Sequence, residues 1–407
     1  ASPVLAQRTA RGLGMAGAYT AIARGIHAPV YNPANLGLPD NSKFSFTFVS
    51  ATAGGWNNSF NNNHFNQYNG QHLTSGDIED ILSNIPESGF GLGIDTYVQA
   101  LSFSVGRFAL TLAGIAVSRI TLDKALFDIA FNGIYTDESY NLDENEAEAV
   151  GYGAIQVSYA HPFKISGNNT LSVGANLSYY YAGGYARADQ ASFLLDMRKY
   201  DFDLDGRYEA SYAYPDSGAG GTGVGLDLGV ASTFGDRATL SFSLMNVLGS
   251  LPWSDEMKRE IGYVRGEGLT VLGIEDAVTD SSWSVTGGES MSSRLPLIIR
   301  LGGSYDVAGF LLAADYVQSF SDSPWSSTKP QLSLGAEFMS IPVLGLRAGF
   351  MVGGRMGFAS SFGISLRPGW FVLDIGVMNR GFISPNSSKG FIFGFELGLN
   401  FKPKKPE

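Results

Sequence analysis

The chain holds 407 residues, of which 16% are charged and 13% aromatic, with 52 glycines and no cysteine. Ordinary soluble domains carry roughly 25% charged residues, and the missing cysteine excludes disulfide frameworks, thiolate metal sites and cysteine nucleophiles. With 27 basic against 38 acidic residues the net charge is −11, and no basic patch exists to attract nucleic acid.

Mean hydropathy is near neutral, and no run of about 18 apolar residues offers a membrane-spanning helix. Low charge with many small and aromatic residues fits another kind of membrane protein. In an outer-membrane β-barrel a greasy lipid face alternates with a polar, small-residue lumen, so the average cancels. The opening Ala1-Ser2-Pro3 has no start methionine and reads as a mature chain after signal-peptide removal.

Residues 1–42 lack alternation. They include the small-residue run Ala10–Ala23, with Gly14, Met15 and Gly17, and then Val30–Leu38, with Asn32, Pro33 and Ala34. Glycine and alanine let one backbone approach another closely, so this segment is expected to fold into the lumen as a plug and gate. Pro33 pushes Asn32 into an extended or turn geometry, where its side chain can cap local backbone. Gly12, Gly14 and Gly17 formally spell GxGxxG, but no strand precedes them and no βαβ unit surrounds them. The match is a decoy.

The loop at about 53–95 carries Trp56, Phe60, Phe65 and Tyr68 among asparagines. Its second half predicts a short helix. Thr74 caps with Asp77, and Ile78, Ile81, Leu82 and Ile85 fall on one stripe before Pro86. An apolar stripe outside the membrane must pack on something, and a lid on the barrel mouth is expected. The cluster Asp143-Glu144-Glu146-Glu148 reads as a solvated acidic loop. Asp201, Asp203, Asp205 and Glu209 resemble the start of a calcium loop, although Tyr212 stands where its final glutamate belongs. Calcium is the one metal these residues suggest, and no other cofactor is expected. His27, His64, His72 and His161 lie apart, without HExxH or GxSxG, so the chain reads as a non-enzyme.

The strand pattern is clearest towards the C-terminus. Phe391, Phe393, Phe395, Leu397, Leu399 and Phe401 share one face, and Gly394, Glu396, Gly398 and Asn400 the other. Arg300, Asp315, Glu337, Arg347, Asp374 and Glu396 all sit on the parity opposite the apolar residues. A basic residue in mid-bilayer costs about 2–4 kcal/mol, so all six should face the lumen. A turn at Val307-Ala308 sets Arg300 opposite Asp315, and one at Ser340–Leu344 sets Glu337 opposite Arg347, pairs read as braces of the wall.

Short connections lie near Gly106-Arg107, His161–Asn169, Gly235-Asp236, Asp306–Gly309, Ser340–Leu344 and Arg367–Gly369. Long ones alternate with them. Six short turns join twelve strands, and the first strand (about Lys43–Ala51) and the last make about 14, an even number with both termini periplasmic. The run Tyr200–Tyr214 then belongs to a hairpin above the membrane. The expected divisions are a plug (1–42), a transmembrane antiparallel barrel with long loops (43–401) and a periplasmic tail (402–407).

The N-terminal runs resemble the start of the long-chain fatty-acid transporter (FadL-like) family of outer-membrane barrels. Gly14, Ala16, Gly17, Ala18, Ala21 and Ala23 match its small-residue stretch, and Asn32, Pro33, Ala34 and Leu36 its "N-P-A-G-L" motif, with Asn35 in place of glycine. The resemblance implies 14 strands, a luminal plug and passage of small hydrophobic molecules. Its partners would be outer-membrane lipid or lipopolysaccharide and hydrophobic solutes. Some relatives serve secretion or surface attachment, so the alternative is a barrel that docks proteins through its loops or periplasmic side.

Overall fold

A computed structural model describes residues 9–143, 145–213, 220–253, 258–270, 279–286, 291–382 and 384–401. The chain forms a closed antiparallel barrel of 14 strands. The first seven are β1 (Phe44–Asn57), β2 (Phe90–Val105), β3 (Phe108–Leu122), β4 (Glu146–Ser166), β5 (Asn169–Met197), β6 (Gly221–Phe234) and β7 (Ala238–Trp253). The others are β8 (Ile298–Val307), β9 (Phe310–Ser319), β10 (Gln331–Ile341), β11 (Leu344–Gly353), β12 (Ala359–Leu366), β13 (Phe371–Arg380) and β14 (Gly390–Phe401). β14 returns to β1, with Phe401 opposite Phe44 and Gly390 opposite Trp56. Closure removes every sheet edge from the bilayer.

The two faces sort as the alternation requires. Phe391, Phe393 and Phe401 are exposed outward, and all six charges are buried inward at 0–3% exposure. Aromatic pairs ring the short-turn end: Trp370 stacks on Phe401 at 5.7 Å, and Phe108 meets Tyr159 at 4.7 Å. Such girdles mark a membrane interface.

Three expectations need correction. The β8–β9 turn is Ala308-Gly309, both at positive φ (50° and 84°), not Val307-Ala308. A two-residue hairpin favours left-handed residues at both central positions, and glycine accepts the second without cost. The register therefore moves by two, so Arg300 faces Val317 and Asp315 faces Gly302. A shift of two preserves the faces, and Arg300 still reaches Asp315 diagonally at 3.6 Å. Glu337 does sit opposite Arg347.

Secondly, β4 and β5 run on through His161–Asn169 to a tight turn at Gly167-Asn168, with Gly167 at φ 55°. Thirdly, the lumen is not uniformly polar and small. Tyr97, Ile115, Tyr152, Tyr180, Tyr185 and Trp253 point inward with other apolar residues and form a buried cluster.

β5 continues beyond the wall and pairs with Phe202–Ala213, which pairs in turn with Lys258–Leu269, and that with Thr279–Thr286. This outer sheet holds the run expected to rise above the membrane. Residues 1–8, Glu144 of the acidic cluster and the tail 402–407 lie outside the described residues.

Candidate functional site

The plug is built from short capped turns. Thr9 Oγ1 accepts the Gly12 N–H at 3.0 Å and starts the helix Ala10–Gly14. Ala16 and Gly17 then turn the chain at φ 53° and 84°. Asn32 is extended, its Oδ1 accepts the Ala34 N–H at 3.0 Å, and it starts the 3-10 turn Pro33–Gly37. The Asn32 amide also donates to the Val230 and Phe242 carbonyls at 3.0 and 3.2 Å, tying the plug to two neighbouring wall strands. Asn35 contributes as well: its Nδ2 donates to the Thr20 carbonyl at 2.8 Å, and its Oδ1 accepts from Ser241 at 3.0 Å.

Plug and wall meet backbone to backbone. A Cβ added at Gly349 would lie 2.6 Å from the Met15 carbonyl carbon, and one at Gly363 3.1 Å from the Gly14 Cα. Gly335, Gly376 and Gly394 are equally crowded by Met15 and Ala10. The luminal glycines are therefore seats for the plug.

The six luminal charges brace more than the wall. Asp315 Oδ2 accepts from the Tyr19 N–H (3.1 Å), the Thr20 N–H (2.9 Å) and the Thr20 hydroxyl (2.5 Å), and Arg300 Nε donates to that hydroxyl at 2.9 Å. Glu337 accepts from Arg11 of the plug at 2.6 Å and from Arg347 and Arg367 of the wall at 3.1 and 2.7 Å. Arg347 continues to Asp374 at 2.9 Å. Glu396 bonds to His27 Nε2 at 2.7 Å, and His27 Nδ1 lies 3.1 Å from the Tyr19 hydroxyl. Four of the six thus hold the plug directly. Reading them as wall braces left out Arg11, His27 and Arg367. A signal was present, because a charge inside a small-residue plug must find a partner.

The plug divides the lumen into two environments. Towards the long loops, Val30, Tyr97, Ile115, Tyr152, Tyr180 and Met245 surround a cavity of only about 20 Å³, with Asp227, Asn246 and Arg300 at its border. That space suits a single water, so the apolar column is closed on itself. Towards the short turns, Arg11, Arg24, His27, Arg367, Asp374, Glu396 and Asn400 line a cavity of about 220 Å³. One end is greasy and the other charged.

The strand pairing of the wall is interrupted beside the apolar column. Asp227 of β6 stands against three residues of β7, Met245–Val247, because pairing jumps from Leu228–Leu244 to Leu226–Leu248. Asn246 takes φ 56°, and Asp227 fills the gap by accepting the Asn246 N–H at 2.6 Å and the Asn176 amide at 2.7 Å. On the other side, pairing with β7 breaks between Met245–Ile298 and Ser250–Arg294, with the Leu295 N–H donating to the Gly249 carbonyl at 3.0 Å inside the break. In the same break, Asn246 Nδ2 donates to the Pro296 carbonyl at 3.0 Å.

The predicted helix is present as Ser75–Ser83, with Thr74 and Asp77 forming a full capping box. Ile81 and Ile85 are buried, Ile78 and Leu82 half-buried. The stripe packs towards a second helix, Lys124–Asn132, whose Phe127 meets Phe90 at 5.4 Å. The four acids singled out as a calcium candidate, Asp201, Asp203, Asp205 and Glu209, do not gather into a loop. Phe202–Ala213 is a strand, which spreads Asp203 to Glu209 over roughly 20 Å at 3.3 Å per residue. Arg198 bonds Asp201 and Asp203, and Arg259 bonds Glu209. Among the described residues no three His, Cys, Asp or Glu converge as metal ligands.

Solved structures share this fold across nearly the whole chain. The toluene transporter TbuX of Ralstonia pickettii superposes with a TM-score of 0.54 at 14% identity, covering 97% of this chain and 98% of its own. The CymD monoaromatic hydrocarbon channel gives 0.52 at 13%, covering 98% of each. A FadL homologue of Pseudomonas aeruginosa gives 0.50 at 11%, covering 97% and 98%. No curated protein matches the sequence. The fold is that of the FadL-like outer-membrane barrels, and by the match of residues 33–377 the chain belongs to the "Family of unknown function (DUF5723)".

Proposed function

We infer that the protein admits small hydrophobic solutes passively across the outer membrane, with the short turns and both termini on the periplasmic side. The observation that carries this is the apolar, aromatic column directly above the plug. Two solved barrels of the same fold are a toluene transporter and a monoaromatic hydrocarbon channel, which agrees with such a lining.

The route leaves the barrel sideways. Below the plug a hydrocarbon would meet the guanidiniums and carboxylates of the polar cavity, where it gains nothing from burial. Beside the column the wall is interrupted on both edges of β7 around Asn246, and the exposed Leu248 faces lipid there. A solute moving from column to bilayer leaves the aromatic rings, passes the Asp227–Asn246 pair that fills the gap, and meets Leu248 on the lipid side. Exclusion of water and of polar solutes follows from the seated plug.

Uptake of radiolabelled toluene by cells carrying the barrel, compared with cells carrying an empty vector, tests this reading. Several-fold faster uptake is expected, and equal uptake defeats it. The outer sheet of residues 185–197, 202–213, 258–269 and 279–286 favours a second role as a platform for proteins at the cell surface. Capture of a partner that survives deletion of the luminal column's aromatic rings, with no change in toluene uptake, would support that role over the first.

A further inference from the structure

The connection between β9 and β10 turns back into the barrel. Pro324–Ser327 are buried, while Asp322 and Thr328 on either side are exposed. Ser323 and Ser326 bond to each other through both backbone groups, at 3.1 and 3.0 Å. Pro324 and Trp325 are therefore the central pair of a tight turn, with Trp325 at the tip. Arg355 clamps the turn: it donates to the Pro324 carbonyl at 2.8 Å, the Asp322 carboxylate at 2.6 Å and the Ser323 carbonyl at 2.7 Å, and also to the Ser326 carbonyl.

The Trp325 indole is 2% exposed and joins the luminal cluster that holds Tyr152, Tyr180, Ile298 and Val317. Its ring meets Tyr152 edge-on at 6.3 Å, and Tyr152 meets Tyr180 edge-on at 5.6 Å. These are the spacings aromatic pairs prefer. None of the clamp's bonds uses the ring, so the turn does not require an indole. The indole Nε1 is moreover buried without a hydrogen-bond partner. A buried tryptophan usually satisfies that N–H, and leaving it unmet is a penalty that a ring without a donor escapes.

We propose that Trp325 fills, as a built-in stand-in, a ring-binding seat at the head of the lumen whose exchangeable ligand is a planar aromatic hydrocarbon of one or two rings. Release of the Arg355–Asp322 clamp withdraws the indole and opens the seat. The seat's part in transport rests on the uptake reading, whereas its existence is tested by binding alone.

The test titrates naphthalene and indole calorimetrically into the full barrel in lipid nanodiscs, as wild type, Trp325→Ala and Arg355→Gln. Heat-modifiable gel mobility checks that each variant is folded. Trp325→Ala should bind naphthalene at least tenfold more tightly than wild type does, and more tightly than it binds indole. Arg355→Gln should move the same way by several-fold. A folded Trp325→Ala barrel that binds naphthalene no better than wild type overturns the seat, even if cells carrying wild type take up toluene. If Trp325→Ala does not fold, Arg355→Gln decides, and unchanged binding overturns the proposal. Tight binding in Trp325→Ala without toluene uptake by any form upholds the seat and defeats the uptake reading.

Discussion

Arg11 of the plug donates to Glu337 of the wall across 2.6 Å, and the same carboxylate receives Arg347 and Arg367. One buried anion thus holds three cations, two from the wall and one from the plug, with Arg11 and Arg367 reaching the polar cavity. Coulomb attraction in such surroundings is strong only while the set is complete, since each buried charge is expensive when unpaired.

Glu337→Gln removes that anion and leaves three guanidiniums around a neutral amide. The expected loss is roughly 3–5 kcal/mol, as for breaking a buried ion pair from one side. It should fall first on the plug. Single-channel recording should show frequent large openings that wild type lacks, and a conductance trace like wild type would remove Glu337 as the anchor.

Gly349→Ala tests the close approach of plug and wall. The new methyl would meet the Met15 backbone at 2.6 Å, so the plug must shift, at a cost of about 1–3 kcal/mol for overpacking. Protease sensitivity of residues 9–42 should rise while the barrel keeps its heat-modifiable mobility. Unaltered plug protection would mean that the plug is not seated on this glycine.

The helix Ser75–Ser83 should respond to acid. Hydrogen bonds from Thr74 hold the Asp77 carboxyl below its usual range. A carboxyl that is a stronger acid in the folded state stabilises its cap above the unfolded pKa, and the benefit is lost as pH falls through the depressed folded value. Protection of the amides of residues 75–78, relative to their intrinsic exchange rates, should therefore fall below about pH 4, ahead of protection in the wall, and Asp77→Asn should remove the pH dependence. A helix equally protected at pH 3 and pH 7 would contradict the cap.

Deletion of residues 74–86 should alter access of solutes to the lumen more than assembly of the barrel. The helix packs outside the wall on Lys124–Asn132 and contributes nothing to strand closure. Toluene uptake and folding yield measured on the same cells decide the matter, and a lost barrel with no change in uptake per folded molecule would refute the lid.

The wall was legible because parity is forced: a charge such as Arg300 or Glu396 cannot face lipid, and that fixes every neighbour on its strand. Turn positions were less legible, since Val307-Ala308 and Ala308-Gly309 preserve the same faces and only the positive φ of both turn residues selects between them. The site was half legible. Asn32 and the glycines announced a plug, but alternation cannot say whether an inward glycine meets water or backbone, so Gly349 and Gly363 looked merely small. The aromatic column escaped for a related reason. Tyr152 and Tyr180 look alike on either face, and only the three-dimensional closure brings Trp325 from a distant loop onto them.

Lateral passage from the apolar column through the interrupted wall around Asn246 is the step on which the proposed uptake depends. Leu226 and Leu248 pair directly across that interruption, and the chain has no cysteine of its own, so Leu226→Cys/Leu248→Cys places one reversible bond there. Toluene uptake should fall to the empty-vector rate when the pair is oxidised and recover on reduction. Equal uptake by the oxidised and reduced barrels would contradict the account.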